Sequence, residues 1–113
     1  MQTKAEVETI VSNMAHQIKA ELGEKLNSVI LYGSYARGDF EEYSDVDVMV
    51  LVNTPHEHIK KYWDTIVNIA IELGWENNLL ISPVIQSIEI FEKYKEASGF
   101  YKSVIAEGVQ ISA

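Results

Sequence analysis

The chain contains no cysteine. That excludes a disulfide framework, a thiolate nucleophile and a zinc–thiolate site, and it fits a reducing, cytoplasmic setting. Positive charge is scarce. Nine Lys and Arg stand against seventeen Asp and Glu, for a formal net charge of −8, and no basic run is longer than Lys60-Lys61. A nucleic acid strand is held largely by its phosphates and needs a basic face, so direct nucleic-acid binding is not expected. A nucleotide accompanied by divalent cations, which invert the local sign of charge, suits an acidic surface, as does a basic protein partner. No stretch approaches the roughly 20 apolar residues that cross a bilayer. The first twenty residues interleave charges in a helical pattern, so neither a membrane span nor a secretory signal is expected.

What remains is an ordinary globular composition, 47% hydrophobic and 23% charged over 113 residues. It suits a single domain, residues 1–113, with one core. Thr3-Lys4-Ala5-Glu6 has the capping-box form. Val7, Ile10, Val11, Met14, Ile18 and Leu22 follow on one helical face, with Gly23 as the stop. Asn27 to Tyr32 reads as a buried strand that runs into the turn Gly33-Ser34, and a short turn or helix is expected from Tyr35 to about Phe40. Asp45 to Val52 is a second strand, rich in β-branched residues. Its period of two puts Asp45, Asp47, Met49 and Leu51 on one face and four valines on the other.

Thr54-Pro55-His56-Glu57 has the form of another capping box, with proline at the first helical position. The buried stripe expected behind it is Ile59, Tyr62, Trp63, Ile66, Val67, Ala70 and Leu73, with Gly74 ending the helix. A third strand is expected over residues 78–86, at an edge or a bulge because of Pro83. Helices over 88–97 and 99–108 follow, and Val109 to Ile111 can add an edge strand. The first two strands, joined by a short connection, can pair antiparallel, and the helix after the second is long enough for a crossover to the third. The fold class is α/β (α+β): a small mixed sheet flanked by helices.

The chemistry is concentrated between Gly33 and Asp47. Gly33 permits a sharp turn and the close approach of a phosphate. Ser34 offers a hydroxyl and an amide to a phosphate oxygen. Asp45 and Asp47, two apart on a strand, project from the same face. Their like charges repel and raise each other's pKa unless a cation sits between them. Hard oxygen ligands of this kind suit Mg²⁺ or Mn²⁺, which share their remaining positions with water and substrate phosphates. Alone, a Gly-Ser is usually a turn and an Asp-x-Asp a solvated pair. Together, at the mouth of a hydrophobic strand, they place acids among valines, which a purely structural strand does not need.

This pattern resembles the signature of the DNA polymerase beta nucleotidyltransferase superfamily. The fuller form, Gly33-Ser34-Tyr35-Ala36-Arg37-Gly38 with Ser44-Asp45-Val46-Asp47, is similar to the minimal nucleotidyltransferases of bacteria and archaea. The resemblance implies a polymerase-beta-like palm in which Gly33 and Ser34 hold the β- and γ-phosphates of a nucleoside triphosphate, ATP above all. Asp45 and Asp47 would bind two metal ions and carry catalysis, moving a nucleoside monophosphate onto an acceptor hydroxyl. Arg37 either pairs with phosphate or ties the turn to Asp39 or Glu42. Ser44 either orients Asp45 or caps the turn. The resemblance also implies a HEPN-type protein partner, with this chain the antitoxin of a toxin–antitoxin pair. The alternative is a nucleotide-binding module that neutralises its partner by contact. One departure bears on this: the superfamily usually takes a third carboxylate from a neighbouring strand, and Leu79 to Ile85 has no acid, with Ser82 near the expected place.

Other residues carry simpler readings. His56 and His58, two apart at a helix start, diverge and make a poor metal pair. His16 stands alone, and all three histidines are expected on the surface. Trp63 is expected in the core, although it and Trp75 could each stack on a base. Phe100, Tyr101, Val104 and Ile105 are expected to pack against the sheet rather than form a partner-facing patch. If the nucleotide reading holds, the Gly33-Ser34 turn and the Asp45/Asp47 face must meet across adjacent strands.

Overall fold

The computed structural model describes residues 2–111. The first helix, α1 (Lys4–Leu22), starts at the anticipated capping box. The Thr3 side chain accepts the Glu6 amide, the Glu6 carboxylate accepts the Thr3 amide, and Gly23 closes the helix at φ 58°. Strand β1 (Leu26–Tyr32) follows and leads through Gly33 into the one-turn helix α2 (Ser34–Arg37). Strand β2 (Val46–Val52) returns antiparallel to β1. Helix α3 (Lys60–Asn77) crosses over to β3 (Ile81–Ser87), which lies parallel to β2. Helices α4 (Ile88–Tyr94) and α5 (Gly99–Glu107) precede the short strand β4 (Val109–Ile111), antiparallel to β1. The sheet order is β3-β2-β1-β4. Pro83 thus sits on an edge strand, where its missing N–H costs no ladder bond.

The two faces of β2 separate as its alternation requires. Val46, Val48, Val50 and Val52 are buried against the apolar stripes of α1 (Val7, Val11, Met14, Ile18) and α3 (Ile66, Ala70, Leu73). Met49 and Leu51 point the other way, into a smaller cluster with Phe91 of α4 and Val104 of α5, flanked by Ile30, Tyr32 and Val84. Each fully buried aliphatic side chain of this kind contributes about 1.5–3 kcal/mol. The central strand is therefore covered on both sides along most of its length, and only its first residues reach an opening.

Three expectations for α3 are corrected. The capping box at Thr54 does not form. Thr54 is buried, its carbonyl accepts the Ser87 hydroxyl at 2.6 Å, and a 3₁₀ turn over His56–His58 intervenes before α3 begins without a side-chain cap. The end of β2 is thus pinned to the end of β3 before a helix can start. Second, α3 does not stop at Gly74 but runs to Asn77. Asn78 takes the left-handed conformation at φ 54° and donates its N–H to the Gly74 carbonyl. Asparagine tolerates that conformation better than most residues. Gly74 serves close packing instead, since a Cβ there would stand 2.6 Å from the Leu79 carbonyl oxygen. Third, Trp63 is not core. It is 45% exposed beside the turn of His56 and Ile59, while Tyr62 of the same helical turn packs on the core and Ile69 is buried in the stripe.

These packing differences make opposite forecasts for two glycines. Gly74→Ala gains helix propensity of about 1 kcal/mol but meets fixed backbone at Leu79, so we expect net destabilisation of about 1–3 kcal/mol in urea unfolding. Gly99→Ala, with nothing within 4 Å of its new methyl and an ordinary negative φ, is expected to stabilise by about 0.4–1 kcal/mol through the unfolded state.

Candidate active site

The site is built where β1 ends and β2 begins. Their antiparallel register sets Tyr32 opposite Asp47, and the parallel register of β2 and β3 sets Asp47 beside Ser82. Paired positions share a face, so Tyr32, Asp47 and Ser82 form one row across three strands. It lies on the Met49/Leu51 side of the sheet, just beyond the cover of α4 and α5. Asp45, one step outside the strand, is exposed. The Val46 amide donates to the Leu80 carbonyl at 2.8 Å and so fixes the entry of β2 against β3.

Gly33 is the closest neighbour of this row. Its φ of 76° and ψ of −155° lie in a region open to glycine and few other residues. A Cβ there would overlap Oδ2 of Asp47 and stand 3.2 Å from its Cγ. The turn that opens α2 and the carboxylate of β2 are therefore in direct apposition, which is the meeting the sequence requires. Ser34 opens α2, in which the Arg37 amide donates to the Gly33 carbonyl at 3.0 Å while the amides of residues 34–36 precede the first helical carbonyl. Tyr35 and Ala36 anchor the turn from below, with Tyr35 buried and stacked on Phe40 at 4.3 Å between centroids.

The remaining sequence candidates fall as follows. Ser44 caps the loop: the Glu41 amide donates to its Oγ at 2.7 Å, and its own amide donates to the Glu41 carbonyl at 3.1 Å. This holds the chain just before Asp45. Arg37 donates through Nε to Asp39 at 3.2 Å and through Nη1 to Glu107 at 3.1 Å. Both pairs are exposed and contribute little each, and together they raise the Arg37 pKa above its ordinary value. Glu107, seventy residues away in sequence, carried no signal as a partner. Tyr32 did carry one, as the last residue of the strand before Gly-Ser, yet sequence reasoning passed over it. His56 lies at the opposite end of the sheet, with Nδ1 3.1 Å from Gln86 Oε1.

Electrostatically the row is strained in the way a cation relieves. Burial, and then the neighbouring Asp45 carboxylate, push the Asp47 pKa above its ordinary value, with Arg37 opposing them. Burial and the Asp47 charge together push the Tyr32 hydroxyl up to about 12. Two hard carboxylates beside a glycine cradle fit a divalent cation that completes its shell with water and phosphate oxygens. Among the described residues no group of three or more His, Cys, Asp or Glu comes together as a metal-holding set, so such an ion would lean on its substrate for ligands.

The raised pKa sets the sign of a stability effect. A carboxylate whose folded-state pKa exceeds its unfolded one gives full stability below the unfolded value, about 3.9, and loses it as pH rises through the folded value. Asp47→Asn is therefore expected to raise the melting temperature of the metal-free protein at neutral pH, with the gain fading in acid. Gly33→Ala is expected to lower it at every pH, by the equivalent of about 1–3 kcal/mol from strain and the collision with Asp47.

Comparison with known proteins meets this geometry from the other side. The sequence profile of the nucleotidyltransferase domain matches residues 15–110. Two proteins of Methanocaldococcus jannaschii, each named "Putative protein adenylyltransferase", are similar to the chain. One is 41% identical over 80 residues, spanning 71% of this chain and 79% of the relative. The other is 27% identical over 101 residues, spanning 89% and 93%. Among solved structures, a toxin–antitoxin crystallised with AMP-PNP superposes with a TM-score of 0.55 at 21% identity, covering 90% of this chain and 73% of that one. A mutant of the toxin–antitoxin MntA-HpeT gives 0.51 at 22%, covering 89% and 71%. At that identity the likeness is one of fold. Profile, relatives and fold agree with the Gly-Ser turn laid against the acidic strand: the chain belongs to the nucleotidyltransferase domain family, as a minimal nucleotidyltransferase.

Proposed function

We propose that this transferase is Mg²⁺-dependent and moves AMP from ATP onto a hydroxyl of a partner protein. The observation that supports it most directly is the apposition of Gly33 and Asp47, which leaves a turn without side-chain bulk beside a strained carboxylate. Gly33 and Ser34 receive the β- and γ-phosphates at the turn. Asp45 and Asp47 hold the metal, which supplies charge neutralisation for the leaving pyrophosphate and a lowered pKa for the attacking hydroxyl. Ser44 keeps the loop shaped so that Asp45 stays beside Asp47. Arg37, drawn from Asp39 and Glu107, can turn to phosphate, a stronger bidentate acceptor. The acceptor lies on the Ser82 side of the row, in line with the bond that breaks.

The names of the relatives support protein as the acceptor class, and the superposed toxin–antitoxin structures support a toxin as the protein, with this chain as antitoxin. The net charge of −8 suits a basic partner, and a HEPN-type toxin fits the family resemblance. Ser82 in register with Asp47 favours slow chemistry, because a serine there cannot take a proton as a carboxylate does. General-base help is typically worth about 10²–10⁴-fold.

Two measurements test the proposal. Mg-ATP at about one hundred times its Kd is expected to stabilise the fold by about 2.7 kcal/mol, a rise of about 10–20 °C in melting temperature for a domain of this size. Asp45→Asn with Asp47→Asn is expected to abolish the Mg²⁺-dependent part. An unchanged response in that double variant overturns the metal site. Separately, labelled ATP, Mg²⁺ and the protein encoded beside this chain are expected to give adenylylated partner by mass spectrometry, slowly, and not with Asp45→Asn or Asp47→Asn. Ser82→Asp is expected to keep the fold and raise the rate. No transfer, with the double variant still neutralising the partner, would instead make the chain a contact inhibitor.

A further inference from the structure

Of the exposed aromatic rings, most stand away from the Tyr32–Asp47–Ser82 row. Trp63 borders a groove beside His56, at the far end of the sheet. Tyr43 lines a depression with Gln2 and Asn78 on the α1 side. Trp75 borders another with Ile71 and Leu80, outside the β3 edge. Phe100 is different. It is 45% exposed, yet its ring meets Tyr32 edge-on, with centroids 5.5 Å apart and planes at 74°. Tyr32 in turn is opposite Asp47 and immediately precedes Gly33.

The helix that carries Phe100 is fixed at its start and along its inner face. At its start the Tyr101 amide donates to the Ser98 hydroxyl at 3.1 Å. The Tyr101 ring packs on Phe91 at 4.9 Å, and its hydroxyl accepts the Gln86 side-chain amide at 3.3 Å. Further along, Val104 is buried with Met49, Leu51 and Phe91. Tyr101 is thus turned inward while Phe100, in the same first turn, keeps an open face on a rigid backing.

We propose that Phe100, backed by Tyr32, is the stacking platform for the base of the bound nucleotide. The inference rests on the nucleotide-site reading above and adds where the nucleoside end lies. Tyr32 and the phosphate turn are one Cα step apart, about 3.8 Å, so a triphosphate at Gly33-Ser34 with its α-phosphate near Asp47 has its ribose and base within reach of this ring. Beside its contacts with Tyr32 and with Tyr101, whose ring centroid is 5.7 Å away, the half-exposed Phe100 ring keeps surface open to an aromatic ligand. A phenyl face has no donor or acceptor pattern, so it supplies affinity for any base and more for a purine, through larger overlap.

The test compares Mg-ATP with Mg-tripolyphosphate, which carries the same phosphates and no base, by isothermal titration calorimetry on the whole chain. The parent is expected to bind ATP more tightly than tripolyphosphate. Phe100→Ala is expected to weaken ATP by about tenfold with tripolyphosphate little changed, and Phe100→Trp is expected to keep the ATP preference. An ATP preference that survives in Phe100→Ala overturns the platform, as does a parent that binds both ligands equally. A parent that binds neither overturns the nucleotide site itself and is told apart from those two results. A Phe100→Ala protein that loses both ligands while keeping its melting temperature also counts against the platform, since a base contact cannot act on a ligand without a base.

Discussion

The apposition of Gly33 and the Asp47 carboxylate is the constraint around which the rest of the site is arranged. It exists because β1 and β2 pair antiparallel in a register that sets Tyr32 against Asp47, so the turn leaving one strand lies over the start of the other. Any side chain at position 33 would occupy the space of the carboxylate. The left-handed backbone there and the acid beside it are one feature seen from two strands. Everything nearby serves to hold it: Tyr35 and Ala36 seat α2, Ser44 closes the loop, and the Val46 amide locks β2 to β3.

Such an arrangement works against folding. Asp47 is partly withdrawn from water next to another negative charge, and a partly buried like-charged pair is a net liability until a cation arrives. The remainder of β2 offsets it. Four valines on one face and Met49 with Leu51 on the other are all buried, giving the central strand more apolar contact than its neighbours. The strain is confined to the strand's first residues, where ligand can relieve it. This division between a saturated interior and an unsatisfied end is common where strain is kept for function.

The row Tyr32–Asp47–Ser82 also organises the site from side to side. Towards β1 it ends in aromatic rings, Tyr32 and Phe100; towards β3 it ends in a small hydroxyl at an edge strand. One side offers an apolar surface. The other is open, because β3 has no further strand beyond it among the described residues. A larger partner has access at the β3 edge.

Much of this was legible in the chain itself, because it depends on local rules. The capping box at Thr3, the alternation of β2, the Gly33-Ser34 turn, the edge position of Pro83 and the final strand after Gly108 follow from spacing and backbone chemistry alone. The face of Asp47 follows from the same alternation, whereas Asp45, expected to share it within the strand, lies one step outside β2. What tertiary structure decided was whatever depends on a partner distant in sequence. The Thr54 carbonyl takes a hydrogen bond from Ser87 and a 3₁₀ turn stands where the capped helix was expected, and Gly74, inside its helix, lies against the returning Leu79 carbonyl. Trp63 stayed outside the core because Ile59, Tyr62 and Ile66 take the core-facing positions of that part of the helix. Arg37 found Glu107, and Phe100 found Tyr32, through packing that no local pattern encodes. Sequence periodicity specifies which face a residue occupies; only the packed fold specifies what stands opposite that face.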